Sequence, residues 1–153
     1  MKTKRFIALA LAVLLLGSAL CFVSCGVNED KSKTEDLTKL FIDMFGAYNN
    51  EDFVTYTSYY KTKSQSQIDY IIENLTEGSK YIKRTYEFVS LTHEELEDGR
   101  TIATVFMKET ITDLTGEDKT VTTNDVTAQA VLSKTEDASW SVDDLRMTFA
   151  GVN

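Results

Sequence analysis

The spacing of apolar residues along this chain changes twice. They run unbroken from Phe6 to Leu16, recur at helical spacing from Leu37, and alternate with polar residues from Lys80 onward. Leu37, Leu40, Phe41, Met44, Phe45 and Tyr48 fall on one stripe and predict a first helix. Ser32 or Thr34 is the expected cap, with Glu35 and Asp36 in the first turn and Asn49-Asn50 at the end. Glu51-Asp52 opens a shorter second helix with Phe53, Tyr56, Thr57 and Tyr60 on one face. Beyond the polar break Lys61–Ser66, the residues Ile68, Ile71, Ile72 and Leu75 predict a third helix. It is expected from about Ser66 to Leu75, with Ser66-x-x-Asp69 as its cap signal and a break at Glu77-Gly78-Ser79.

Four strands follow. Residues 80–92 place Ile82, Tyr86 and Phe88 on one face, with Val89 and Leu91 on the other. Residues 100–112 alternate through Ala103, Val105, Met107 and Ile111, and residues 119–133 through Val126, Ala128, Ala130 and Leu132. Trp140, Val142, Leu145 and Met147 make the last strand, where Asp143-Asp144 interrupts the alternation and predicts a bulge. Helices first and strands afterwards is the α+β pattern: N-terminal helices packed on a curved antiparallel four-stranded sheet.

The apolar run at the start has a different meaning. Lys2, Lys4 and Arg5 precede it and Gly17-Ser18-Ala19 follow it, the layout of a secretory signal peptide too short in its core to span a membrane comfortably. It ends Phe22-Val23-Ser24-Cys25-Gly26, which resembles the lipobox of bacterial lipoproteins, though Phe22 stands where Leu is usual. The chemistry needs a thiol to receive the diacylglyceryl group and a small residue before it. Cys25 and Ser24 meet both demands, whereas Cys21 follows bulky Leu20. The alternative is an ordinary signal peptide cut near Ala19. The expected layout is a signal peptide over 1–24, a lipidated Cys25 with a flexible tether to 35, and one domain over 36–150. Cys25 would anchor the domain outside the cytoplasm of a bacterial envelope, on a membrane held by more than one acyl chain.

Charge narrows the partners. Losing residues 1–24 removes three cations and no acid, taking the net charge from −8 to −11. That balance argues against nucleic acid and against docking on an anionic membrane surface. No second cysteine remains to form a disulfide with Cys25 or to act as a nucleophile.

Two phrases carry a family resemblance. Phe45-Gly46-Ala47-Tyr48-Asn49-Asn50-Glu51-Asp52-Phe53 resembles a helix–helix junction, and Ala138-Ser139-Trp140-Ser141-Val142-Asp143-Asp144-Leu145 a terminal strand, of the nuclear-transport-factor-2-like superfamily. That cystatin-like cone fold is shared with ketosteroid isomerase and the polyketide cyclases. The resemblance covers about residues 35–147 and implies a cone built of helices on a curved sheet. In the superfamily's enzymes a pocket Asp or His works with a Tyr donor, buried inside the cone.

Candidate chemistry is sparse. The single histidine, His93, lies beside Glu94 and Glu95 and is expected to be a solvated surface residue. Asp69 and Tyr70 are neighbours on a helix and point apart, so they read as a capping Asp and a partly buried Tyr. Glu94, Glu95, Glu97 and Asp98 lack calcium-loop spacing and read as a solvated hairpin tip. No phosphate loop, nucleophile elbow or zinc spacing occurs. Tyr56, Tyr59, Tyr60, Tyr70, Tyr81 and Tyr86, with Phe53 and Phe88, either line a cavity or fill the gap between helices and sheet, filling being the commoner use. The strand alternation forces no acid inward. The expectation is therefore no catalytic residue, metal or cofactor. It is a lipid-anchored binding or interaction module for a small apolar ligand or another envelope protein, with homodimerisation through the open sheet face. An isomerase or hydrolase of the same cone fold, or an assembly partner without a pocket, is the alternative.

Overall fold

A computed structural model describes residues 27–116 and 118–149. The expected signal segment over 1–24 and the expected lipidation at Cys25 lie outside the described residues. The chain divides between Lys33 and Thr34, and the sheet and its packed helices belong to the part from Thr34 onward.

The order is three helices then four strands: α1 Val27–Asn49, α2 Phe53–Thr57, α3 Gln65–Ser79, β1 Ile82–Glu95, β2 Thr101–Asp113, β3 Val121–Lys134 and β4 Trp140–Phe149. The sheet is an antiparallel meander in the order β1-β2-β3-β4. Helix α1 begins at Val27 and not at a cap on Ser32 or Thr34, so the expected tether is helical over most of its length. Polarity alone does not stop a helix, and neither Pro nor Gly occurs between Gly26 and Gly46 to interrupt one.

The α1 stripe behaves as its spacing predicts. Leu37, Phe41, Met44 and Phe45 are buried against Ala103, Val105, Met107, Val126, Ala128, Ala130 and Leu132 of the sheet's inner face, with Leu40 and Tyr48 half-buried at its edges. Each large side chain removed from water in this way stabilises the fold by about 1.5–3 kcal/mol. The small residues at 103, 128 and 130 leave room for the aromatic rings above them.

Helix α3 differs from its prediction at both ends. Ser64 is its N-cap, with Gln67 completing a capping box, so Ser66-x-x-Asp69 is not the cap. The helix also runs through Glu77-Gly78 to Ser79. None of its residues is fully buried; Ile68 and Leu75 only lean on the core.

Two bulges bend the sheet. One is the expected irregularity in β4, where Val131 pairs with Asp144 and Leu132 with Val142, leaving Asp143 as the extra residue. The other is at Val89: Phe88 pairs with Met107 and Ser90 with Phe106. This second bulge shifts the inward phase of β1, so that Phe88 and Leu91 both pack on the core and Leu91 is not on the outer face. Ile82, at the strand's start and in phase with Tyr86, is exposed.

Candidate functional site

The aromatic residues converge on one end of the interior. Tyr48 is the hub: its ring lies 5.2 Å from Tyr56, 5.3 Å from Tyr86 and 5.6 Å from Phe53, edge-on in each case. Phe45 stands 5.3 Å from Tyr86, and Tyr56 and Tyr60 join hydroxyls at 2.9 Å. The cluster therefore fills the space between helices and sheet. Tyr59 is half-buried at its margin, whereas Tyr70 and Tyr81 are exposed and take no part.

Beneath Tyr86 lies a carboxylate that the alternation did place inward. Glu109 occupies the β2 position in phase with Ala103, Val105 and Met107, and it is 0% exposed. The expectation of no inward acid is thus corrected. Its Oε1 accepts from the Tyr86 hydroxyl at 2.9 Å and from Arg84 Nη1 at 2.7 Å, while Oε2 is buried without a partner among the described residues. Register makes this trio: Tyr86 pairs directly with Glu109, and Arg84 is in phase two residues before it.

The environment shifts each partner. Burial, reinforced by Tyr48 and then Glu109, pushes the Tyr86 phenol far above its ordinary range. Burial likewise raises Tyr48, against the opposing pull of the Arg84 charge. For Arg84, burial is the largest single effect and lowers its pKa, but Glu109, Tyr86 and Tyr48 together outweigh it and hold the guanidinium charged.

A cavity that reaches Arg84 of this trio opens between α3 and the start of β1, with a volume of about 260 Å³. Tyr48, Phe53, Leu75 and Ile82 give it apolar walls, and Arg84 reaches into it from the buried pair. Lys83 and Glu51 stand at the rim as a loose, exposed pair 3.9 Å apart. Gly78 on α3 leaves the opposite wall without a side chain. Glu51 holds a positive φ of 60°, a conformation uncommon for a residue with a side chain and here the turn out of α1.

The residues singled out from sequence go elsewhere. His93 is half-buried, not solvated, and its Nε2 lies 2.9 Å from the Thr34 hydroxyl, tying β1 to α1. Asp69 caps nothing; it accepts from Gln65 Nε2 at 2.8 Å, and Tyr70 beside it is 68% exposed, not partly buried. Among the described residues no group of three or more His, Cys, Asp or Glu is gathered to hold a metal ion. No helix among them is long and apolar enough to cross a membrane.

No protein-family model matches the sequence, and no curated protein matches it either. Solved structures do. ActVI-ORFA of Streptomyces coelicolor superposes with a TM-score of 0.65 at 12% identity, over 80% of this chain and 98% of its own. A protein of Catenulispora acidiphila gives 0.64 at 15% identity, over 79% and 94%. An uncharacterised protein of Caulobacter vibrioides with a cystatin-like fold gives 0.59 at 14% identity, over 78% and 90%. What such distant sequences share with this one is the architecture, and the fold of this chain is the cystatin-like α+β arrangement of helices on a four-stranded antiparallel sheet.

Proposed function

We propose that this protein is a lipid-anchored, extracytoplasmic binding module, tethered through Cys25, that holds a small, largely apolar molecule in the cavity between α3 and β1. One observation carries the reading: the cavity of about 260 Å³ has apolar walls and a single, rigidly held guanidinium. The same geometry favours binding over turnover. A general base must come within hydrogen-bond reach of its substrate, and Glu109 is sealed beneath Tyr86 and Arg84. A second reading, an isomerase or hydrolase with Glu109 as base, draws on the buried and unpartnered Oε2; it requires Tyr86 or Arg84 to move aside. The outer sheet face, with Phe106 exposed on it, is the surface through which a homodimer or an envelope protein would dock.

The test is native mass spectrometry of the chain purified without denaturation. A reproducible small-molecule adduct, lost when Gly78→Phe fills the cavity, supports the binding module. A bare chain from every preparation, with no uptake from a pooled metabolite extract, overturns it. Anchoring is tested separately: Cys25→Ser should move the protein from the membrane to the soluble fraction, and its retention on the membrane would refute the anchor.

A further inference from the structure

We infer that the cavity between α3 and β1 selects a small monocarboxylate with an apolar body, its carboxylate gripped by Arg84. This rests on the binding reading above and adds the chemical class of the ligand. Arg84 carries five N–H donors in a planar fork, and the one bond recorded for it among the described residues runs from Nη1 to Glu109 Oε1. Its side chain is 35% exposed and lines the cavity, so the fork presents remaining donors to whatever enters.

Glu109 acts here as a positioning residue. It fixes the guanidinium in one orientation from behind, so little side-chain entropy is lost when a ligand arrives. Lys83 adds a second cation at the rim, and its contact with Glu51 at 3.9 Å is between two side chains each 47% exposed. A pair of that kind holds its partners weakly, so Lys83 is able to swing onto an incoming anion.

The charge count decides between anions. Lys83 and Arg84 face Glu51 at the rim and Glu109 behind, two cations against two carboxylates. With no surplus positive charge, a dianion such as a phosphate monoester brings twice the uncompensated charge of a monoanion, and one planar carboxylate matches the planar fork. Tyr48, Phe53, Leu75 and Ile82 then take the apolar body. A charge-assisted hydrogen bond contributes about 1.5–3 kcal/mol, roughly ten- to a hundredfold in affinity.

Benzoate and its neutral isostere benzyl alcohol, titrated calorimetrically into the full-length chain in detergent, separate the possibilities, with inorganic phosphate as a third probe. Benzoate is expected to bind at least about tenfold more tightly than benzyl alcohol, and inorganic phosphate not to bind. Arg84→Lys keeps a cation for Glu109 but removes the fork, and should abolish the preference. If that variant does not fold, the double variant Arg84→Gln/Glu109→Gln, which leaves no unpaired charge, takes its place. Equal binding of the two aromatic probes, a preference that survives loss of the fork, or a preference for phosphate overturns the carboxylate assignment and leaves the pocket standing. Binding of none of the three overturns the pocket and the assignment together.

Discussion

Asn49 holds Tyr86 by both of its backbone groups: its Nδ2 donates to the Tyr86 carbonyl at 2.8 Å, and its Oδ1 accepts from the Tyr86 N–H at 2.7 Å. The last residue of α1 thus mimics a neighbouring strand on the free edge of β1. Because those groups point away from β2, Tyr86 and Glu109 form the closely spaced type of antiparallel pair, in which side chains approach most nearly. The clasp therefore also sets the bond between the Tyr86 hydroxyl and Glu109.

Replacing Asn49 with Ala leaves both Tyr86 backbone groups without their partner. The expected loss is about 1–3 kcal/mol, read as a lower urea midpoint at unchanged m-value. Asn49→Asp keeps the acceptor and loses the donor, so it should fall between Ala and the parent. An Asn49→Ala chain as stable as the parent would mean that water replaces the clasp without loss.

Glu109 is the buried acid among the described residues. Glu109→Ala strips Tyr86 and Arg84 of their acceptor and opens a void, at an expected cost of about 3–5 kcal/mol. Glu109→Gln retains the shape and an acceptor oxygen, and should cost clearly less. Chemical denaturation of the two variants gives the order; Gln as damaging as Ala would show that the charge, and not the hydrogen bonding or the volume, holds the trio together.

The bulge at Val89 carries a prediction about phase. Deleting Val89 removes the extra residue and leaves a regular ladder in which Ser90 still faces Phe106, so that Leu91 and His93 keep their inward phase. The packed Leu91 and the contact between His93 and Thr34 are expected to be retained. Amide exchange should show β1 beyond Phe88 as well protected as in the parent. Lost protection of Leu91 and His93 would mean that the bend at the bulge, and not the phase alone, seats that end of the strand.

Much of this fold is legible in the sequence because single elements declare it. The stripe from Leu37 to Tyr48 allows only one buried face for α1, and Val126, Ala128, Ala130 and Leu132 fix the inner face of β3 without reference to anything else. The site is not legible in this way. Glu109 stands in phase with Met107, but a charged residue on a strand reads as solvated until its partners are known. Those partners, Tyr86 and Arg84, lie on another strand, and only the inter-strand register brings them opposite. Ser64-x-x-Gln67 and Ser66-x-x-Asp69 both fit a capping pattern, so the start of α3 was ambiguous by one half-turn. Val89 gives no local signal at all, since a bulge belongs to a pair of strands and not to one.

Two glycines should respond in opposite directions. Gly46 lies within α1, and a Cβ added there meets nothing within 4 Å. Gly46→Ala therefore removes unfolded-state freedom without strain and should stabilise by about 0.5–1 kcal/mol. Gly99 turns the β1–β2 hairpin with φ of +82°, a conformation that costs a residue with a side chain about 1–2 kcal/mol. Thermal unfolding of Gly46→Ala above, and Gly99→Ala below, the parent is the expected pattern; the reverse order would contradict the backbone assigned to both.

Alkaline unfolding should be governed by buried phenols. Burial pushes Tyr56 from 10.0 up to about 12, and raises Tyr60 and Tyr86 further. Below pH 10 these phenols are protonated in folded and unfolded chains alike, so the stability they contribute is fully present. Above it the unfolded chain gives up its phenolic protons first while the folded chain keeps them, and stability falls as pH rises. For Tyr56 the loss runs from pH 10 to about 12, at a limiting slope of about 1.4 kcal/mol per unit for each such group. Urea midpoints should be flat from about pH 7 to about pH 9 and fall beyond pH 10. Tyr56→Phe should show a shallower fall, since Tyr60 and Tyr86 still titrate on unfolding, and phenolate absorbance should rise in step with the loss of structure. A decline as steep in Tyr56→Phe as in the parent would place the alkaline transition in other groups.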